Sequence, residues 1–195
     1  MTMQAEASGP ETAVAEDSDH ALALAAARGD RDAFSRLLER HYAAMHRIAW
    51  RWCGDASEAE DIAQDVSIKL ARAIGSWRGE GGFTTWLYRI VLNAVRDRQR
   101  ATAAERRRVE AFAVQTLVDA QGVPETDDPA QRLWAAVGTL PDRQRDAVLL
   151  VHGEGLSHGE AADVMGISEG TVSFHIHEAK NKLRVSMQSP EGEQP

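Results

Sequence analysis

A chain of 195 residues has room for one ordinary domain or two small ones, and 43% hydrophobic with 27% charged residues excludes wholesale disorder. No apolar run approaches the roughly 18 residues needed to span a bilayer, so membrane insertion is not expected. The net charge of −8 argues by its sum against a nucleic-acid binder, but the distribution of the charge weighs more.

Residues 1–17 read as a disordered acidic tail, and residues 1–20 carry five acids (Glu6, Glu11, Glu16, Asp17, Asp19) without Lys or Arg. A secretory signal needs a basic start and an apolar middle, so the expected compartment is the cytoplasm. Asp17 to Asp19 offer N-caps for a short helix, HALALAAAR, that stops at Gly29. Asp30 caps a longer one, in which Phe34, Leu37, Leu38, Tyr42, Met45, Ile48, Ala49 and Trp52 recur at three- and four-residue steps. Cys53, the only cysteine, cannot form an internal disulfide and is expected to be a buried structural thiol. Past Gly54 and Asp55, Ser57 is expected to open a third helix with Ile62, Val66, Leu70 and Ile74 along one face. The loop GSWRGEGG follows. A fourth helix, from about Thr84, turns Leu87, Ile90, Val91 and Ala94 inward and enters a basic block. Residues 96–108 hold six arginines against Asp97 and Glu105.

Residues 119–129, DAQGVPETDDP, mix Pro, Gly and four acids without periodicity. They mark a flexible acidic linker, 109–129, between a domain at 18–108 and a second at 130–187, with a tail at 188–195. The second domain opens with a short helix from about Pro129, then Leu140-Pro141 and a helix capped by Asp142. The expected fold class is all-α, with two small helical domains on one tether and strand signals almost absent.

Ser157 to Leu183 carries the local chemistry of a helix-turn-helix. Ser157 and Glu160 form an S-x-x-E capping box, and Ala161, Ala162, Val164 and Met165 supply a small apolar packing face. Gly166 suits a sharp turn needing positive φ, and Ser168 caps a second helix with Val172, Ile176, Ala179 and Leu183 inward. Ser173, Phe174, His175, His177 and Lys180 are then left to project outward, where a recognition helix meets a major groove. An ordinary helical hairpin without a ligand is the alternative.

Three features of the first domain exceed the needs of a core. Glu58, Asp61 and Asp65 share one helical face with Gln64 beside them, either a solvated surface or a dock for a basic partner. Trp77, Phe83, Trp86 and Tyr88 cluster around the glycine loop. A loop of this composition is not expected to bury every ring, and an exposed Trp77 beside Arg78 suits stacking on unpaired bases. Asn93, Arg96, Arg98 and Arg100 read as a basic, amide-bearing stripe, though Arg98 or Arg100 taken singly fits a solvated helix end equally well.

In these blocks the sequence resembles the extracytoplasmic-function (ECF) family of RNA polymerase sigma factors. DAFSRLLERHY, AEDIAQDV, SWRGEGGFTTWLYRIVLNAVRD and LPDRQRDAVLL…GLSHGEAADVMGISEGTV…AKNKLR look like the family's blocks in the family's order, across most of residues 20–187. The resemblance implies a four-helix region 2 domain followed by a helix-turn-helix region 4 domain. Glu58, Asp61, Gln64 and Asp65 would dock on the clamp helices of the core RNA polymerase largest subunit. The loop with Trp77, Arg78 and Phe83, together with Trp86, Asn93, Arg96, Arg98 and Arg100, would trap and hold the −10 element of promoter DNA. Region 4 would sit on the polymerase flap and read the −35 element through Arg145, Thr171, Ser173, Phe174, His175, His177 and Lys180. An anti-sigma factor that covers these surfaces is a further expected partner, and no cofactor, metal or catalytic residue is implied.

The physics fits that division. Opening a duplex costs about 1–2 kcal/mol per base-pair step, and no G-x-x-x-x-G-K-[ST] loop is present to drive it with ATP. Bases that unstack spontaneously must be trapped, and stacking returns about 1–3 kcal/mol each. The recognition helix departs from the family pattern: Ser173 to Glu178 contains no Lys or Arg, and residues 140–187 hold seven acids against five Lys and Arg. Either His175, His177, Phe174 and Lys180 read an atypical element, or the domain works through protein contacts. The histidines invite a pH or metal role, but an i, i+2 spacing aims the two rings to different sides and makes a poor chelate. A sigma-like decoy that captures an anti-sigma factor without touching DNA is the alternative function. A response regulator would need upstream strands. An enzyme with a metal at His41, His46, Glu58 and Asp61 is disfavoured, because His41 and His46, five apart, share no face.

Overall fold

The structure, a computed structural model, describes residues 18–112 and 129–188. The expected N-terminal tail, the expected C-terminal tail beyond Gln188 and residues 113–128 of the expected linker lie outside the described residues. Every described element is a helix, and contacts divide the chain into two compact units, Met1–Arg98 and Gln99–Pro195.

In the first unit α1 spans Asp19–Ala27, α2 Arg31–Cys53 and α3 Ala56–Ala73, with a single 3-10 turn at Ile74–Ser76 after α3, and α4, Phe83–Phe112, begins there and runs on past Arg98. Side chains fix the starts. The Ser18 hydroxyl accepts from the Ala21 N–H at 3.2 Å. The carboxylate of Asp30 accepts from the N–H groups of Asp32 and Ala33, each at 3.0 Å. Asp55, not Ser57, caps α3: its extended backbone lets the carboxylate accept the Glu58 N–H at 2.7 Å. α2 ends at Gly54 in the left-handed region, φ 73°, where a Cβ would be strained. The expected apolar stripes then meet. Leu37, Met45, Ile48 and Trp52 of α2 are buried with Ile62, Val66 and Leu70 of α3 and Leu87, Val91, Leu92 and Val95 of α4. Each such side chain contributes about 1.5–3 kcal/mol. Cys53 is half-buried rather than buried. Its thiol donates to the Asp55 carbonyl at 3.2 Å, and desolvation raises its pKa.

In the second unit α5 spans Pro129–Gly138, α6 Asp142–Val148 with a π turn at Leu149–Gly153, α7 His158–Met165 and α8 Glu169–Gln188. Pro141 precedes α6 without a side-chain cap. Asp142, expected as the cap, is the first helical residue and pairs with Arg145 at 2.9 Å. The capping box is complete: the Glu160 N–H donates to the Ser157 hydroxyl at 3.2 Å, and the Ser157 N–H donates to the Glu160 carboxylate at 2.9 Å. Gly166 turns the chain at φ 66°. Ser168 then accepts the Thr171 N–H at 3.2 Å. Val172, Ile176 and Ala179 are buried, as are Leu149, Leu150, Ala161 and Val164. The helix-turn-helix read from the sequence is the fold of this segment.

Candidate functional site

On α3 the acids flank an apolar centre. Asp61, Gln64 and Asp65 are exposed, and at 100° per residue Ile68 falls on the same face. Ile68 is 50% exposed, which is unusual for a side chain of its size in a packed helix. Counting only the inward stripe hides it; its being out of step with Ile62, Val66 and Leu70 is the signal that would have found it. Behind this face Glu60 accepts from the Tyr42 hydroxyl at 2.7 Å and the Gln64 amide at 3.0 Å, while the His46 ring lies 3.9 Å away. These bonds, Tyr42 first, hold the Glu60 carboxyl below the usual carboxylate range, and the bond to Glu60 in turn raises the Tyr42 phenol.

The glycine loop is closed from within. Trp77 is 6% exposed and Phe83 is 3% exposed, so the expectation of an open indole is corrected. Its reason is α1, which folds over the loop. The His20 ring stands edge-on to Trp77 at 5.2 Å between centroids, and Trp77 stands edge-on to Phe83 at 5.9 Å. α1 is itself tied down by Asp19, which binds Arg40 at 2.6 Å and the Nε2 of His41 at 2.8 Å. Gly79, at φ 79°, passes so close that a Cβ would stand 3.2 Å from His20 Cε1. The Trp77 Nε1 is buried with no hydrogen-bond partner among the described residues. Arg78 remains exposed, Trp86 is half-buried, and Tyr88 is buried.

α4 splits the expected arginine stripe. At 100° per residue Asn93, Arg96 and Arg100 fall within an arc of about 60°, whereas Arg98 lies about 170° from its middle. Arg98 instead continues the buried row of Val91, Ala94 and Val95 toward α3. There its Nε donates to Glu58 at 3.2 Å and its Nη2 to Asp61 at 3.4 Å. Arg98 thus belongs to the acidic face and not to the stripe. Arg89, exposed and four residues before Asn93, takes its place on the stripe by the same spacing, a repeat legible in the sequence.

In the second unit Ser173, Phe174, His177 and Lys180 are exposed on α8, with Phe174 at 59%. His175 is not free to project: it is half-buried, and its Nδ1 is buried without a hydrogen-bond partner among the described residues. Ser173 is hydrogen-bonded to the His158 Nδ1 of α7 at 2.8 Å, which fixes α8 against its neighbour. Thr171 bonds Ser168 at 2.7 Å between hydroxyls. The Arg145 side chain is only 11% exposed and donates to Asp142 and, at 3.4 Å, to the Gly138 carbonyl, so its charge is used inside the unit. Arg143 likewise donates to the Met165 carbonyl at 3.3 Å, satisfying the end of α7. Among the described residues no group of three or more His, Cys, Asp or Glu is placed to hold a metal, and no helix is long and apolar enough to cross a membrane.

Comparison with known proteins places these surfaces in a family. The sigma-70 region 2 model matches residues 37–118, and the sigma-70 region 4 model matches 130–183. The ECF RNA polymerase sigma factor SigM of Mycobacterium tuberculosis is 36% identical over 169 residues, covering 86% of this chain and 84% of that protein. The RNA polymerase sigma-H factor of Pseudomonas aeruginosa is 30% identical, covering 89% and 95%. A solved structure of CnrH in complex with the cytosolic domain of CnrY is similar at a TM-score of 0.66 and 28% identity, covering 89% of this chain and 100% of that one. Two family models in their order, and relatives matched along nearly their whole length, lead to one conclusion: the chain belongs to the ECF RNA polymerase sigma factors of the sigma-70 family.

Proposed function

We propose that the chain docks on core RNA polymerase through the α3 face of Asp61, Gln64, Asp65 and Ile68 and directs it to promoters from the cytoplasm. Asn93, Arg96 and Arg100 hold the −10 DNA, with Arg78 on the loop as a further contact. Ser173, Phe174, His177 and Lys180 read the −35 element. The observation that carries this reading is the polarity of the first unit: an exposed acidic face on α3 and a separate basic, amide-bearing stripe on α4. One suits a basic protein partner and the other a phosphate backbone. Stacking of a base on Trp77 requires the loop to leave His20. The indole nitrogen, which gives up no hydrogen bond within the described residues, costs the closed state accordingly.

The acidic composition of region 4 favours a second reading, capture of an anti-sigma factor without DNA. CnrH was solved with a protein partner, and a partner of that kind is proposed here as the chain's regulator in either case. Transcription in vitro with core polymerase over a genomic fragment library separates the two. The initiation reading expects discrete start sites that are lost or weakened about tenfold or more in Asn93→Ala/Arg96→Ala, each base or phosphate contact being worth about 1–3 kcal/mol. Polymerase binding with no start sites supports the decoy. Trp77→Ala is the poorer test, since removing a buried indole costs about 3–5 kcal/mol of stability by itself.

A further inference from the structure

Glu58 and Asp61 already hold a cation. Arg98 bridges them from α4, one turn apart on α3, with its Nε at 3.2 Å from Glu58 and its Nη2 at 3.4 Å from Asp61. The three side chains are 44%, 29% and 59% exposed, so the pairs lie at the surface in water-like dielectric. Pairs of this kind are weak and easily exchanged for another cation. Arg98 also sits opposite the DNA stripe of its own helix, and releasing it would not bring it to that stripe. A basic helix arriving on the α3 face therefore meets two carboxylates whose charge is partly cancelled by the chain itself.

We propose that Arg98 is an internal counter-ion of the polymerase-docking face, occupying Glu58 and Asp61 in the free chain and yielding them when a basic partner docks. The proposal rests on the reading of α3 as the docking face. Arg98 then attenuates affinity and selects against partners whose positive charge is too weak or misplaced to displace it. A merely structural staple between α3 and α4 makes the opposite demand, because its loss would disorder the face and weaken docking.

The test titrates core RNA polymerase with the labelled full chain, as wild type, Arg98→Ala, Arg98→Gln, Asp65→Asn and Glu58→Gln/Asp61→Asn, over a range of salt. Arg98→Ala is expected to bind about twofold to tenfold tighter at low salt, the worth of two exposed pairs, with the gain fading as ionic strength rises. In the Glu58→Gln/Asp61→Asn background the same change should have no effect. Arg98→Gln, which keeps the stem, should match Arg98→Ala and covers the case in which alanine disturbs folding. Unchanged or weaker binding by both variants overturns the proposal, as does a fall of about one in the salt slope of promoter binding, which would mark a DNA contact. Failure of wild type and Asp65→Asn alike to bind overturns the docking reading itself. Tight wild-type binding with no coupling between Arg98 and the two acids overturns only the counter-ion.

Discussion

Ser157 and Glu160 show how two residues hold the start of the helix-turn-helix. The carboxyl of Glu160 is kept below the usual carboxylate range, first by the Ser157 hydroxyl and then by the Ser157 N–H. A carboxylate depressed in the folded state contributes stability that is present above its unfolded value and lost as pH falls through its folded value. Ser157→Ala should therefore cost about 1 kcal/mol at neutral pH. The deficit should shrink toward acid, as the wild-type cap is itself protonated. Denaturant unfolding followed in region 4 at pH 7 and at acid pH checks this; a deficit that grows toward acid contradicts it. Caps were the least legible residues in the sequence. Ser18 rather than a neighbouring Asp, and Asp55 rather than Ser57, do the capping, because backbone geometry and competing partners choose among adjacent candidates. Asp19 is drawn away to Arg40 and His41, a contact that spans two helices and leaves no local trace.

At the scale of elements, the helices of both units were legible because a 3.6-residue period persists through α2, α3, α4 and α8. What periodicity does not report is which helix folds over a loop. The Gly, Arg and Ser neighbours of Trp77 predict an open indole, yet α1, far away in sequence, supplies the cover through His20. The α4 stripe differs from the expected one for another reason. Simple rotation by 100° per residue separates Arg98 from Asn93, Arg96 and Arg100 and adds Arg89, whereas proximity in the sequence groups Arg98 with its neighbours. The same arithmetic puts Ile68 at the centre of the acidic α3 face. An exposed apolar side chain ringed by polar ones is the usual form of an interface anchor. Ile68→Asp should weaken association with core polymerase about tenfold or more while leaving the melting temperature close to wild type, since the side chain is half exposed in the free protein. Equal binding by the variant would remove Ile68 from the docking face.

Taken whole, the molecule is acidic but places its cations where DNA is proposed to lie. A net charge of −8 disfavours tight DNA binding by the free chain, so polymerase must contribute much of the grip. Each arginine on a phosphate then appears as a countable increment in salt dependence. Arg100→Ala should reduce the slope of log affinity against log salt by about one for holoenzyme on duplex promoters, without changing which promoters are chosen. A change of promoter choice would assign Arg100 to base reading instead. The composition of α8 bears on the same balance: with Arg145 turned inward and His175 half-buried, region 4 offers few cations to DNA, and region 2 is proposed to carry more of the recognition. The central claim is that this chain makes polymerase open promoter DNA. Permanganate reactivity of thymines on fragments incubated with core polymerase, with and without the chain, measures that opening directly. The expected result is a short reactive bubble at the −10 position that appears only with the chain and is lost in Asn93→Ala/Arg96→Ala. Firm association with core polymerase and no reactive thymines on any fragment would contradict the account.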